Sequence, residues 1–271
     1  MHRGFGFGYH SDTIVALTSQ SGTPEFLIML GVALLLFNPP RRTILIWIGT
    51  LLAIAAAHAE QPIKVLIVTG GHDHEPSFYS LFDDPRFIAN VNPHPEAFTK
   101  DFRERADVLV LYDLIPEMLE EAKRSNLRAF VESGKGIVVL HHAIIDHNNW
   151  PWWYEEVVGG RYLLKPDGGM PASTYKHDEH MRVKVTKKHP VTDGVTDFEI
   201  DDETYKGMWI SPKVHVLLTT DNPTSDAPLA WLGLHPKARV VYIQLGHGSA
   251  AHRNPSYQRL VRNAIVWAAG L

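Results

Sequence analysis

The chain has 271 residues, with 26 Lys and Arg against 30 Asp and Glu, for a formal net charge of −4. That mildly acidic balance argues against a phosphate-backbone partner, so no nucleic acid is expected. Cysteine is absent, which excludes disulfides, thiolate metal sites and a cysteine nucleophile.

Residues 1–59 read differently from residues 60–271. In PPRRTILIWIGTLLAIAAAHAE, Arg41 and Arg42 precede an apolar run from Thr43 to Ala57, and Ala57-His58-Ala59 has the A-x-A form of a cleavage site. The run spans 15 residues, short of the ~20 that cross a bilayer. A signal peptide ending near Ala59, and hence an exported, periplasmic or secreted protein, is the expectation. A membrane anchor, with membrane association through this segment, is the alternative. A second apolar run, Phe26 to Phe37, precedes the arginines. It fits either a start further downstream, such as Met29, or a short helical hairpin in the membrane. Residues 60–271 suit a single domain, since single domains run to ~250 residues.

Ile63 to Gly71, IKVLIVTGG, is an apolar, β-branched run that predicts a buried central strand. Ala106 to Asp113, ADVLVLYD, predicts a second. Pro116 is placed to open a helix, with Leu119, Ala122, Leu127, Phe130 and Val131 as its inner stripe and Gly134 as its stop. Ile137 to Leu140 predicts a third strand, and strand–helix–strand order predicts a parallel sheet. EHMRVKVT alternates like a half-exposed strand, and VHVLLTT, PLAWLGL and ARVVYIQLG read as further strands. Pro255 to Ala268 predicts a helix that buries Tyr257, Leu260, Val261, Ala264, Ile265 and Ala268. The expected fold is α/β, a doubly wound and mostly parallel sheet with a partly antiparallel extension. Its ligand should lie beyond the carboxyl ends of the strands.

Histidine collects at those ends. TGGHDHE carries His72 and His74, GIVVLHH ends in His141 and His142, and QLGHGSAAHRN carries His247 and His252. With cysteine missing, imidazole and carboxylate remain as ligands for a zinc-like divalent metal. The same groups serve as general acids and bases near neutral pH. His142, His141 and His247 are therefore expected as catalytic groups, and His72, His142 and His247 as metal ligands. His141 and His142 read as neighbours in extended chain, so only one should face the pocket. In EIDDETY, Glu203 is the expected buried carboxylate with a catalytic role, and Asp201 and Asp202 are expected to be exposed. YKHDEH reads as a solvated loop from which His177 reaches the substrate. Trp150, Trp152 and Trp153 are too many indoles for an ordinary surface loop. They fit stacking on a sugar ring or, equally, a local core plug. His147, His189 and His215 are assigned to surface or packing. Neither G-x-x-x-x-G-K-[ST] nor G-x-S-x-G is present.

In order, VLIVTGGHDHE, ADVLVLYD, GKGIVVLHHA, KKHPVTDGVTDFEIDDETY, VLLTTDNP, PLAWLG and VVYIQLGHG resemble the ThuA-like (trehalose utilisation) family, over roughly Ile63 to Leu271. The resemblance implies a flavodoxin-like, class I glutamine amidotransferase-like three-layer sandwich. Amidotransferases carry their nucleophilic cysteine on a tight turn after a strand, where this chain has His141 and His142. Without cysteine, glutamine hydrolysis by a thiolate is excluded. The resemblance also implies carbohydrate metabolism: a small-molecule sugar substrate, trehalose or another disaccharide or a 3-keto glycoside, and a sugar oxidoreductase in the same pathway. A hydrolase or lyase acting on a 3-keto glycoside is the expected activity. A non-catalytic carbohydrate-binding or sensing module is the alternative.

Overall fold

The computed structural model describes residues 61–271, and the signal or anchor expected in residues 1–59 lies outside them. Eleven strands and three α-helices follow in order: β1 (Ile63–Gly70), β2 (Phe87–Pro93), β3 (Val108–Asp113), α1 (Glu121–Glu132), β4 (Gly136–Leu140), β5 (Gly160–Arg161), β6 (Thr174–Val185), β7 (Phe198–Lys206), β8 (Trp209–Ile210), β9 (His215–Thr219), β10 (Pro228–Leu232), β11 (Val240–Ile243), α2 (Ser249–His252) and α3 (Pro255–Ala268).

Nine strands form one sheet in the order β2-β1-β3-β4-β11-β10-β9-β6-β7. The first five are parallel. From β11 onward every pairing is antiparallel. This is the parallel block and antiparallel extension that the apolar runs predict. The four central runs are apolar throughout because both faces of the sheet are covered. Val65, Ile67, Val108, Val110, Val138 and Leu140 face one core, with Tyr257, Leu260, Val261 and Ile265 of α3. Leu66, Val68, Leu109, Leu111, Ile137 and Val139 face the other, with Leu127, Phe130 and Val131 of α1. The result is a three-layer sandwich.

Three elements depart from expectation. α1 starts at Glu121 rather than at Pro116. The residues between are held in irregular chain, where Ile115 N donates to Asp146 Oδ1 at 2.5 Å. YKHDEH is not a loop but the start of β6, interrupted by a bulge between Lys176 and Glu179. Asp178 takes φ +55° there, the kind of local kink that re-aims a strand's side chains. β2 and β7 are the sheet edges and carry no clear apolar pattern: β2 because its side chains are mostly exposed, β7 because Asp202 and Glu203 are among its buried residues.

Gly136 opens β4 under the end of α3. A Cβ there would stand 2.2 Å from Ala268 O, a backbone atom that cannot swing away. Gly136→Ala is expected to cost ~1–3 kcal/mol through forced separation of helix and sheet. Thermal unfolding should show a midpoint lower by several degrees, and an unchanged midpoint would refute the contact.

Candidate functional site

The chain leaves β4 by a sharp device. His141 takes φ +50°, a conformation that costs a non-glycine residue energy and recurs at functional sites. A 3-10 turn, His141–Ile145, follows. Extended alternation therefore ends at Leu140: His142 lines the cavity, and His141 is fully buried with its Nε2 toward His247 and Glu203. The His141 and His142 rings lie 5.1 Å apart.

Hydrogen bonds fix both tautomers. His141 Nδ1 donates to Gln244 O at 2.6 Å, and His142 Nδ1 donates to Asp113 O at 3.0 Å. A carbonyl can only accept, so each Nδ1 carries a proton. His141 Nε2 meets His247 Nδ1 at 3.1 Å, the Tyr205 hydroxyl at 3.0 Å and Glu203 Oε1 at 3.4 Å. Glu203 Oε2 meets His177 Nδ1 at 2.7 Å and His247 Nδ1 at 3.7 Å. His142 Nε2 is buried and has no partner. The His72 ring completes the cluster, 4.9 Å from His142 and 5.5 Å from His247.

Electrostatics follow from this crowding. Burial, then the adjacent His141, holds His142 well below the ordinary histidine range. The same two causes push His247 down to about 4. Burial alone would raise Glu203, but hydrogen bonding to His141 and the nearby imidazoles leave it below its usual value.

His141, Glu203 and His247 are the group able to hold a cation, each offering a ligand atom within 4.8 Å of the other two. Metal–ligand bonds of ~2.0–2.2 Å at tetrahedral angles put donor atoms about 3.3 Å apart. His141 Nε2 lies 3.1 Å from His247 Nδ1 and 3.4 Å from Glu203 Oε1, close to that spacing, while His247 Nδ1 faces the other carboxylate oxygen, Oε2, at 3.7 Å. The bond from His141 Nδ1 to Gln244 O is the outer partner that a ligating histidine ordinarily has. Among the described residues, this convergent group differs from the ligand set expected from sequence. His72 and His142 stand beside the group without joining it, and Glu203 and His141 take their place.

Asp202 supports the cluster from behind. Contrary to expectation it is buried, and its carboxylate accepts from Gly246 N at 2.7 Å, His247 N at 2.9 Å and Glu203 N at 2.9 Å. Burial raises its pKa, while His141 and these three N–H donors oppose the rise. Gly246 O in turn accepts from the Tyr112 hydroxyl at 2.7 Å and from His252 Nε2 at 3.0 Å. The Ser77 hydroxyl must then donate to His252 Nδ1, at 3.0 Å, tying the loop after β1 to the loop after β11. Asp202→Asn leaves one acceptor oxygen where three N–H groups converge. It is expected to weaken metal binding ~10–100-fold, the usual loss for an outer-sphere partner. Zinc titration calorimetry checks this, and an unchanged affinity would remove Asp202 from the account.

His72, His142, His177, Glu203 and His247 form the polar wall of a cavity of about 260 Å3, with His141 buried behind them, and the other wall includes Leu114, Ile145, Tyr162, Leu164 and Tyr175. The three tryptophans do not line it. Trp150 and Trp153 are buried in the core on the α1 face. The Arg128 guanidinium lies 4.3 Å from the Trp152 ring centre and 5.6 Å from that of Trp150. Indoles this large find more apolar area to bury against α1 than at the cavity mouth. His147 is packed beside them. Tyr162 and Tyr175, which the cavity does use, escaped the sequence reading; only their aromatic character signals them.

Among the described residues, no helix is long and apolar enough to cross a membrane. No curated protein matches the chain. Solved structures do. A ThuA-like protein from Parabacteroides merdae superposes with TM-score 0.67 at 20% identity, over 77% of this chain and 90% of its own. A ThuA-like protein from Bacteroides uniformis gives 0.60 at 21% identity, over 78% and 93%. A cytoplasmic protein from Salmonella typhimurium gives 0.54 at 13% identity, over 76% and 99%. At these identities the likeness establishes the shared fold. The profile of the ThuA family, described as trehalose utilisation, matches residues 64–268, and the chain belongs to that family.

Proposed function

We propose that the protein cleaves a glycoside whose ring carries a ketone at C3, by eliminating the aglycone. One observation carries the reading. His141 Nε2, His247 Nδ1 and Glu203 converge on one another behind a cavity that Glu203, His247 and His142 line, and His142 Nε2 has no partner. The family description suggests the sugar.

A C3 ketone acidifies the proton on C2, and the glycosidic oxygen on C1 is then β to the carbanion. In this scheme His142 Nε2 takes the C2 proton. The electron pair forms the C1–C2 double bond as the C1–O bond breaks. The aglycone oxygen leaves with a proton from His177, which sits on Glu203 at the cavity mouth. Water adding across the double bond makes the net reaction a hydrolysis. A divalent cation on the three converging groups would supply Lewis-acid stabilisation of oxyanion charge. A sugar oxidoreductase that installs the ketone would act upstream.

The test is release of free sugar from a 3-keto disaccharide. His142→Ala is expected to lower kcat ~10²–10⁴-fold, the usual worth of a general base, with circular dichroism unchanged. Activity that survives both His142→Ala and His247→Ala overturns the proposal. Tight binding without turnover in the wild type would make the protein a carbohydrate-binding module instead.

A further inference from the structure

The cavity has two levels. Its floor is closed: Tyr162 and Ile145 are each 7% exposed, and Glu203 is 6% exposed. Its rim is open and apolar. Tyr175 is 60% exposed, more than any other large apolar side chain among the described residues, and Leu164 is 51% exposed. Apolar surface of this kind, gathered at the edge of a polar cavity, marks a ligand contact.

The cavity of about 260 Å3 runs from floor to rim, bounded by Ile145, Tyr162 and Glu203 below and by Tyr175 and Leu164 above. A glycoside whose ring meets the polar groups below therefore presents its other part to Tyr175 and Leu164. His177 joins the levels, its ring 5.2 Å from Tyr175 on one side and 4.8 Å from His247 on the other.

We propose that Tyr175 and Leu164 form an aglycone subsite at the rim, so that the protein favours glycosides whose leaving group has a flat or apolar face. The inference rests on the glycoside reading and adds a specificity to it. The phenol ring of Tyr175 offers a stacking surface to an aryl group or to the C–H face of a second sugar. The polar cluster below supplies nothing that distinguishes one aglycone from another.

The experiment compares methyl and phenyl 3-keto-glucosides on the full-length protein, by KM and by titration calorimetry. The wild type is expected to favour the phenyl compound by about tenfold, the size of one aromatic contact. Tyr175→Ala should collapse that preference, Leu164→Ser should reduce it, and Tyr175→Phe should restore it. Both side chains are largely exposed, so these variants keep the fold. Equal weakening of both compounds would place Tyr175 in the ring floor and overturn the inference. So would a preference that survives Tyr175→Ala. If neither compound is turned over, the cleavage reading falls, and the calorimetric preference with its loss in Tyr175→Ala still decides the subsite. No preference in calorimetry overturns it.

Discussion

Glu203→Gln is expected to strip the protein of bound metal, and His141→Ala to do the same, whereas His72→Ala is expected to retain it. Glutamine keeps the shape of Glu203 but removes the charge that faces the His141, His177 and His247 rings. Loss of an outer-sphere partner already costs ~10–100-fold in affinity, so loss of a ligand should cost more than ~100-fold. His72 lies within ring contact of His142 and His247 but outside the group whose ligand atoms converge. Elemental analysis after incubation with zinc and desalting separates the cases. Near-stoichiometric metal in the wild type and His72→Ala, with little in Glu203→Gln and His141→Ala, is the expected pattern. Metal lost from His72→Ala and kept in His141→Ala would restore the ligand set read from sequence. No metal in the wild type would leave the cluster as hydrogen-bonded acid–base groups.

That contrast shows where the sequence was legible and where it was not. β1, β3, β4 and β11 could be read because burial on both faces demands continuous apolar runs, and few other elements look like that. The α3 stripe was equally plain, since all six of its expected residues are buried. β7 was hidden because its inward positions hold Asp202 and Glu203 instead of aliphatic groups. The function written into that strand erases the alternation by which a strand is recognised. Asp202 was taken for a surface residue on the strength of its charge. Three backbone N–H groups make its burial tolerable, and two of them, Gly246 N and His247 N, come from a distant segment to which a linear reading has no access. The conformation of His141 and His142 escaped period-two reasoning for a different cause. One residue at φ +50° turns the chain, and nothing in HHAII announces it. Strand ends as the place for histidines could be inferred from topology. Which histidines share a ligand point depended on ångström-scale geometry.

Asp146→Asn is expected to make the protein more stable at neutral pH, by a margin that grows with pH. Asp146 is buried, its Oδ1 accepts from Ile115 N at 2.5 Å, and its carboxyl meets that of Asp113. Asp113 is itself buried and paired with His94 Nδ1 at 2.6 Å. Burial first, and then the Asp113 charge, push the Asp146 pKa well above the carboxylate range. In the unfolded chain an aspartate titrates near ~3.9. The folded-state value is the raised one, so the stabilisation is complete below the unfolded value and is lost as pH climbs toward the folded one. The loss is up to ~1.4 kcal/mol per pH unit in that window. Asparagine reproduces the protonated form: its oxygen still accepts from Ile115 N, its amide N–H replaces the O–H toward Asp113, and it does not titrate. All other titrating groups are common to the two proteins and cancel in the difference. As pH rises above about 4, the variant's unfolding midpoint should therefore pull ahead of the wild type by a few degrees per kcal/mol. A difference that stays flat would mean that Asp146 is ionised in the fold. The pair also bears on the site, because the carbonyl of Asp113 accepts from His142 Nδ1. A neutral side chain that keeps both bonds should preserve His142 and its activity, while Asp146→Leu, which keeps neither, should cost stability and activity together.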